Sequence, residues 1–453
     1  MSFKKVKKIN PPLLVLIGFF SVIILGSLLL YLPVSSAGAK IKYIDALFTA
    51  VTSTCVTGLV TVPTVSAYST FGHIIILLLI QIGGLGVITV ISGFLISFNK
   101  KLGFSDRLII QESFNLNTFS GIVKFVRKVV IGTFTVEGIG ALCYTTVFVP
   151  QFGLKGIWIS VFNSVSAFCN AGIDIISQNS LMDYYNNPII NIVTELLIIF
   201  GGLGFIVWWD LIRVLKDKFK NHKLKVFNRL TLQSKLVIIS TLFFIISGAV
   251  MIFAAEYNND LTIGKFSLWD KIQASIFQSV TTRTAGFATI PQQNLSNAAS
   301  AVCLLLMFIG GSPVGTAGGI KTVTVAVIFL AAKAVISGKK DVCAFGRKIS
   351  ETAVRKAAAV FFFLFATVFV STVFLSFLCN ADFLDIVFET VSAAATVGLS
   401  RNLTPTLKFA AKLVICFTMY FGRVGPISIA VAFGKKAKNE NSVKDPAEEL
   451  NIG

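Results

Sequence analysis

Four short stretches of this chain repeat a pattern suited to holding a bare cation with backbone oxygens. They read FTAVTSTCVTGL (48–59), FNSVSAFCNAGI (162–173), FQSVTTRTAGF (277–287) and FETVSAAATVGL (388–399). Each opens on Phe, carries Val three residues later, and closes on Gly and a large apolar residue. The closing glycines Gly58, Gly172, Gly286 and Gly398 are separated by 114, 114 and 112 residues, the third copy being one residue shorter between Val280 and Gly286. Spacing so regular marks an internal repeat. Glycines that only eased helix packing would not be held at fixed intervals. Small residues and a glycine let the backbone turn its carbonyls to one side. Four such turns about one axis can replace the hydration shell of a monovalent cation. The candidate ligands are the backbone carbonyls of Val56, Thr57 and Gly58, of Asn170, Ala171 and Gly172, of Thr284, Ala285 and Gly286, and of Thr396, Val397 and Gly398.

The elements that must position these turns are apolar. Eight segments stand out, at 13–32, 74–98, 129–149, 189–209, 236–255, 302–332, 357–379 and 409–433. At about 1.5 Å per residue each can cross a bilayer. They pair around the four stretches, and a second landmark follows each glycine: GGLG at 83–86, GGLG at 201–204, GGSPVG at 310–315 and GRVGP at 422–426. Each unit therefore reads helix, re-entrant stretch, glycine turn, helix. Short helices are expected over 43–54, 156–168, 269–282 and 383–395, with Asp45, Asp270 and Asp385 near three of their starts and Gly156-Ile157-Trp158 in the second. Their negative C-terminal ends would face a central cavity and favour a cation. Two crossings per unit return the chain to one side, so the units run parallel.

The expected fold is an all-α integral membrane protein of four parallel helix–pore-loop–helix repeats, with eight spanning helices and four re-entrant pore helices around a central pore. The repeats occupy 13–98, 129–215, 236–337 and 357–433, joined by cytoplasmic linkers at 99–128, 216–235 and 338–356. A cytoplasmic N-terminus (1–12) and tail (434–453) flank them.

Composition agrees. Hydrophobic residues make up 55% of the 453 and charged ones 13%, with 42 phenylalanines, which excludes both a water-soluble globule and a disordered chain. The net charge is +19, but 29 of the 40 Lys and Arg fall at the N-terminus, at 98–128, 213–235 and 333–356, and after 434. Basic loops beside apolar spans place those regions, and both termini, on the cytoplasmic side of the membrane. They also offer contacts to anionic lipid headgroups. No nucleic-acid-binding pattern accompanies the charge. The seven cysteines are dispersed without a CxxC pair, and with two histidines they suggest neither a disulfide framework nor a zinc site. The N-terminus mimics a signal peptide, but Leu13–Leu32 is long enough to be retained as a first helix.

Thr396-Val397-Gly398 is the start of the potassium-channel filter TVGYG; Val56-Thr57-Gly58, Asn170-Ala171-Gly172 and Thr284-Ala285-Gly286 are looser. With GGSPVGTAGGIKT (310–322) and FGRVGP (421–426), these turns give the chain a specific resemblance over about 10–435 to the Trk/Ktr/HKT superfamily of potassium transporters, in particular its KtrB-type membrane subunits. The resemblance implies K+ as the transported ion, a preference for potassium over sodium carried by the four filter glycines, and no cofactor on this chain. The missing Tyr-Gly implies selectivity looser than in a tetrameric channel. The resemblance also implies a homodimer and a cytosolic KtrA-type regulatory subunit binding ATP/ADP or NAD(H), since no GxGxxG unit is present here.

Segment 302–332 exceeds one crossing, and no continuous helix tolerates its centre, Gly310, Gly311, Ser312, Pro313, Val314, Gly315, Thr316, Ala317, Gly318 and Gly319. Two half-helices joined by an intramembrane loop (310–320) are expected. Its GTAGGIKT resembles a phosphate loop, but Ile320 replaces a required glycine and no strand precedes it. The resemblance implies a gate. Arg423 falls at the offset of Gly311 in its own unit and needs partners at that depth; loop carbonyls, Ser312 or Thr316 can supply them. Lys321 either adds to the electrostatic barrier or snorkels to the cytoplasm. Glu137 and Glu195 read as structural hydrogen-bonding groups. A secondary transporter coupled to sodium or protons is the alternative, disfavoured because such folds often use inverted repeats. Nothing points to an enzyme: no nucleophile–base–acid set, metal cluster or nucleotide fingerprint is visible.

Overall fold

The computed structural model describes residues 11–38, 40–87, 89–90, 92, 121–220 and 226–425. Residues 1–10, most of the linker expected at 99–128, the last residues of segments 74–98 and 409–433, and the tail at 434–453 lie outside them, as does Pro426 of FGRVGP.

The chain is helical, and the same order recurs four times. A long apolar helix comes first: α1 (Pro11–Tyr31), α4 (Ile122–Phe152), α8 (Leu232–Glu256) and α12 (Glu351–Leu378). A short helix follows: α2 (Tyr43–Cys55), α5 (Lys155–Cys169), α9 (Leu268–Thr281) and α13 (Phe383–Ala395). The third member is α3 (Thr70–Leu85), α6 (Pro188–Leu203), α10 (Asn297–Phe308) or α14 (Phe409–Val424). A helix α7 (Phe205–Lys220) follows α6, and α11 (Thr322–Ile336) follows α10. Between α11 and α12 a small hairpin pairs β1 (Cys343–Ala344) with β2 (Arg347–Lys348), an element the hydropathy pattern does not foretell.

By length and apolarity, among the described residues four helices can cross a membrane unaided: the first helix of every unit, counted from Leu13 in α1. The third members are shorter than the segments read from sequence, because each stops at its glycine landmark. Gly86, Gly204 and Gly425 take φ of +84°, +85° and +87°, a conformation open to glycine, and end α3, α6 and α14. After Gly204 the chain turns through 97° into α7. Segments 74–98 and 189–209 are thus broken helices, as 302–332 is, and the helix that opens 409–433 ends at Gly425. Hydropathy does not register this, since the sequence stays apolar through each break.

Burial runs opposite to that of a soluble protein. The long helices expose large apolar side chains, such as Leu25, Leu142, Phe243 and Phe362. The most enclosed elements are the short helices, whose buried faces carry Thr49, Thr52, Asn163, Ser166, Gln278, Ser279, Glu389 and Ser392. An apolar exterior around a polar centre suits a lipid solvent. Each short helix packs against the long helix of its own unit. Ser164 donates to the Glu137 carbonyl at 2.6 Å, Ser279 to Ile245 at 2.8 Å, and the Thr372 and Thr390 hydroxyls meet at 2.8 Å. Where the first unit has Ala50, apolar contact serves instead.

Candidate ion-binding site and gate

At the end of each short helix the backbone makes one turn in four copies. Two residues before each closing glycine stands a non-glycine residue with positive φ: Val56 at 55°, Asn170 at 59°, Thr284 at 73° and Thr396 at 53°. Three of the four are β-branched, a type for which this region is a true outlier. Strain of this kind persists only where the surroundings over-determine it, and it concentrates at functional sites. The glycines themselves have φ of +100°, +62°, +86° and +97° for Gly58, Gly172, Gly286 and Gly398.

A hydroxyl fastens every turn. Thr52 Oγ1 accepts from the Gly58 amide at 3.0 Å, and Ser392 Oγ from the Gly398 amide at 3.0 Å. Ser166 donates to the Ile173 carbonyl at 2.5 Å and Thr281 to the Phe287 carbonyl at 2.6 Å. Main-chain bonds repeat as well, from Thr57 to Thr52, Ala171 to Ser166 and Val397 to Ser392 at 2.8 Å, and from Ala285 to Thr281 at 2.9 Å. The shorter third copy keeps the turn by changing its helix end: Thr282 caps α9 in a right-handed conformation, whereas Val56, Asn170 and Thr396 cap theirs left-handed. These hydroxyl residues were not singled out from sequence. Their signal is in plain view, because each immediately follows the repeating Val.

The four turns close a ring. A Cβ placed on Gly58 would sit 2.6 Å from the Ala171 carbonyl oxygen and 3.2 Å from Gly398 Cα. On Gly172 it would strike the Ala285 oxygen, on Gly286 the Val397 oxygen at 2.5 Å, and on Gly398 the Thr57 oxygen. Each glycine thus abuts the carbonyl just before the next glycine, in the cyclic order 58, 172, 286, 398. Among the described residues, none of the twelve carbonyls at 56–58, 170–172, 284–286 and 396–398 accepts a hydrogen bond from the protein. Ten of those residues are buried. Buried carbonyls are almost always paired, so an unpaired set this dense is the candidate ion site.

The first glycine of each landmark serves close approach. A Cβ on Gly83, Gly201 or Gly422 would collide with the carbonyl oxygen of Thr54, Phe168 or Ala394, four residues before the ring glycine. The third member of each of these units therefore presses against the negative end of its short helix.

Residues 309–321 form a compact loop between α10 and α11. Its neck is closed by a bridge pairing Ile309 with Ile320 and by the Thr322 amide donating to Gly311 at 2.9 Å. Ser312 and Thr316 amides donate to the Gly202 and Gly201 carbonyls at 2.8 and 3.1 Å, and the Phe205 amide donates to Val314 at 2.9 Å. The loop thereby sits in the break between α6 and α7. It also lies against the foot of the ring: a Cβ on Gly318 would strike Thr396 Oγ1, and one on Gly310 would be 3.0 Å from Thr284 Cγ2. Gly315 approaches Gly201 and Gly204, Pro313 approaches Gly204, and Gly319 packs on Gly310.

Arg423 donates to the carbonyls of Thr316 in the loop and of Gly83 and Gly84 in the first unit. It ties units one, three and four together. Of the partners considered from sequence it uses a loop carbonyl, while the Ser312 hydroxyl meets Thr322 at 3.1 Å and the Thr316 hydroxyl donates to Phe168 at 3.1 Å. Lys321 turns its ammonium back onto the Ala317 carbonyl rather than towards solvent. Glu137 receives Gln81 at 3.4 Å and the Cys169 thiol at 3.8 Å, but Glu195 Oε1 is buried without a partner among the described residues, against the structural bonding expected of it. The helix-start acids are paired: Asp45 with Lys412 at 2.5 Å, Asp385 with Arg401 at 2.6 Å, and Asp270 with Ser267 at 2.7 Å.

Residues 14–445 match the family described as TrkH, cation transport protein. The potassium/sodium uptake protein NtpJ of Enterococcus hirae is 38% identical over 99% of this chain and 98% of its own. The Ktr system potassium uptake protein B of Bacillus subtilis is also 38% identical, over 98% and 97%. The crystal structure of the potassium transporter TrkH from Vibrio parahaemolyticus superposes with a TM-score of 0.74 over 95% of this chain and 86% of that one, at 16% identity, a likeness of fold.

Proposed function

The chain belongs to the TrkH cation transport family, and we propose that it carries potassium into the cell through a channel-like pore. The four turns form the selectivity filter, and a dehydrated K+ is held by the carbonyls of 56–58, 170–172, 284–286 and 396–398. The observation that carries this reading is the closed ring of glycine-to-carbonyl contacts whose oxygens accept no protein hydrogen bond. A cation supplies the missing partner, and the four short-helix C-termini lend it about half a negative charge each. In this reading eight segments span the plasma membrane in four parallel repeats, with both termini cytoplasmic.

Loop 310–320 is the gate in this reading. It lies under the foot of the ring, and Arg423 adds both a latch, through Thr316, and a positive charge that a permeating cation must pass. Glycines 310, 311, 315, 318 and 319 give the loop its close fit, and Lys321 holds its last turn. Relatives named as Ktr system potassium uptake proteins support a Ktr-type system with regulatory partners, and the proposal extends to a homodimer working with a cytosolic nucleotide-binding subunit.

Rubidium flux into liposomes carrying the purified protein tests the reading. Uptake should be rapid and outcompeted by potassium far better than by sodium. Sodium competing as well as potassium would overturn the filter assignment. Strict dependence of uptake on a sodium or proton gradient would favour coupled transport instead.

A further inference from the structure

Arg283 is a buried guanidinium that neither the ring nor the latch uses. It stands three residues before Gly286, where the other units have the small residues Cys55, Cys169 and Ala395. It is 7% exposed, and among the described residues no carboxylate pairs with it. A charge in such a place is costly unless it bonds to something that repays the desolvation. Two carbonyls receive it: Nη2 donates to Gly310 at 3.3 Å and Nη1 to Thr241 of α8 at 3.5 Å, while Nε has no partner among the described residues. The side chain lines a small cavity with Thr241, Gly202 and Gly311.

We propose that Arg283 is a positioning residue that grips the neck of the intramembrane loop at Gly310 and holds the loop in its obstructing place. The inference rests on the gate reading given above. Gly310 is the loop's entry, flanked by the Ile309–Ile320 bridge and packed between Gly318 and Thr284. Arg283 belongs to the segment that carries Thr284, Ala285 and Gly286, so its bond ties the entry of the loop to the ring itself and to α8 behind it. Arg423 acts elsewhere, on Thr316, from another unit. The two arginines thus hold different parts of one loop: Arg423 its far side, from another unit, and Arg283 its neck, inside a single unit. The one-residue contraction of the third copy accompanies this substitution of a long cation for a small residue.

The experiment compares rubidium flux in liposomes for Arg283→Met and Arg283→Lys, each with the loop intact and with the loop shortened over 313–319. With the intact loop, Arg283→Met should raise flux by about tenfold, the scale of one lost charge-assisted hydrogen bond. Arg283→Lys, which keeps the charge and loses the fork, should raise it less. In the shortened background neither substitution should add to the flux, a non-additivity that a merely structural role would not produce. Discrimination between rubidium and sodium should be unchanged throughout. Equal effects in both backgrounds, or a loss of discrimination, would overturn the inference; so would no effect with the intact loop. If Arg283→Met does not assemble, Arg283→Lys carries the same comparison with the same criteria. Should shortening the loop leave flux untouched in the otherwise native chain, the gate reading itself falls, which separates its failure from that of Arg283.

Discussion

Replacing Gly58 by Ser probes the ring at a contact set by a single carbonyl oxygen. The added Cβ lies 2.6 Å from the Ala171 oxygen, whereas ordinary contact begins near 3.4 Å, so something must yield by the difference of 0.8 Å. The backbone cannot relax by rotation, because φ is +100° and a side chain there costs about 1–3 kcal/mol. The two ways of yielding are to push Ala171 outward or to flatten the turn at 58; each displaces a carbonyl of the proposed filter. A loss of about 1.4 kcal/mol in preference for the larger ion would cut discrimination about tenfold. Gly58→Ser should therefore lower the ratio of potassium to sodium competition against rubidium uptake by about that factor. Gly121 makes the control: its φ is +79°, yet a Cβ there meets nothing within 4 Å, so Gly121→Ser carries backbone strain without touching the ring. Unchanged discrimination in Gly58→Ser, or an equal change in Gly121→Ser, would refute the reasoning.

The hydroxyl fasteners give a second expectation. Thr52→Val and Ser392→Ala each remove the acceptor of a glycine amide, at a cost of about 1 kcal/mol; thermal unfolding in detergent should shift down and discrimination weaken, more so in the double variant. Arg423→Gln should release the Thr316 carbonyl and raise rubidium flux by about tenfold, and Arg423→Lys should not restore the native rate, since a point charge cannot reach carbonyls of two units; silence of both would remove the latch. Asp45 and Lys412 join α2 to α14 at 2.5 Å with side chains only 9% and 12% exposed. Lys412→Met should destabilise the fold by about 3 kcal/mol, and adding Asp45→Asn should recover much of it. No loss in the single variant would show that water already serves the carboxylate.

Much of the site can be read from sequence because its determinants are local. A turn needing positive φ leaves a glycine, and four such turns leave four glycines at near-equal intervals. The paired hydroxyl at Thr52, Ser166, Thr281 and Ser392 is equally regular. What it fastens becomes apparent only when the chain folds back over six or seven residues. The breaks at Gly86, Gly204 and Gly425 escape a hydropathy reading for a different reason: apolarity measures preference for lipid and is blind to φ. Partners separated by hundreds of residues are illegible in principle. Arg423 meeting Gly83 and Lys412 meeting Asp45 depend on how the units pack around one axis, and Arg283 meeting Gly310, 27 residues on in the same unit, depends on where the loop folds back. The sequence marks Arg423 as a costly charge at depth but cannot say which carbonyls answer it, and it gives no sign that Arg283 and Lys412 are largely buried.

Anomalous diffraction from crystals grown in rubidium would test the central claim most directly. A peak should lie on the axis among the carbonyl oxygens of Thr57, Ala171, Ala285 and Val397, and should fade when potassium is soaked in. Absence of a peak at that ring, with rubidium bound instead among acidic side chains elsewhere, would contradict coordination by the backbone.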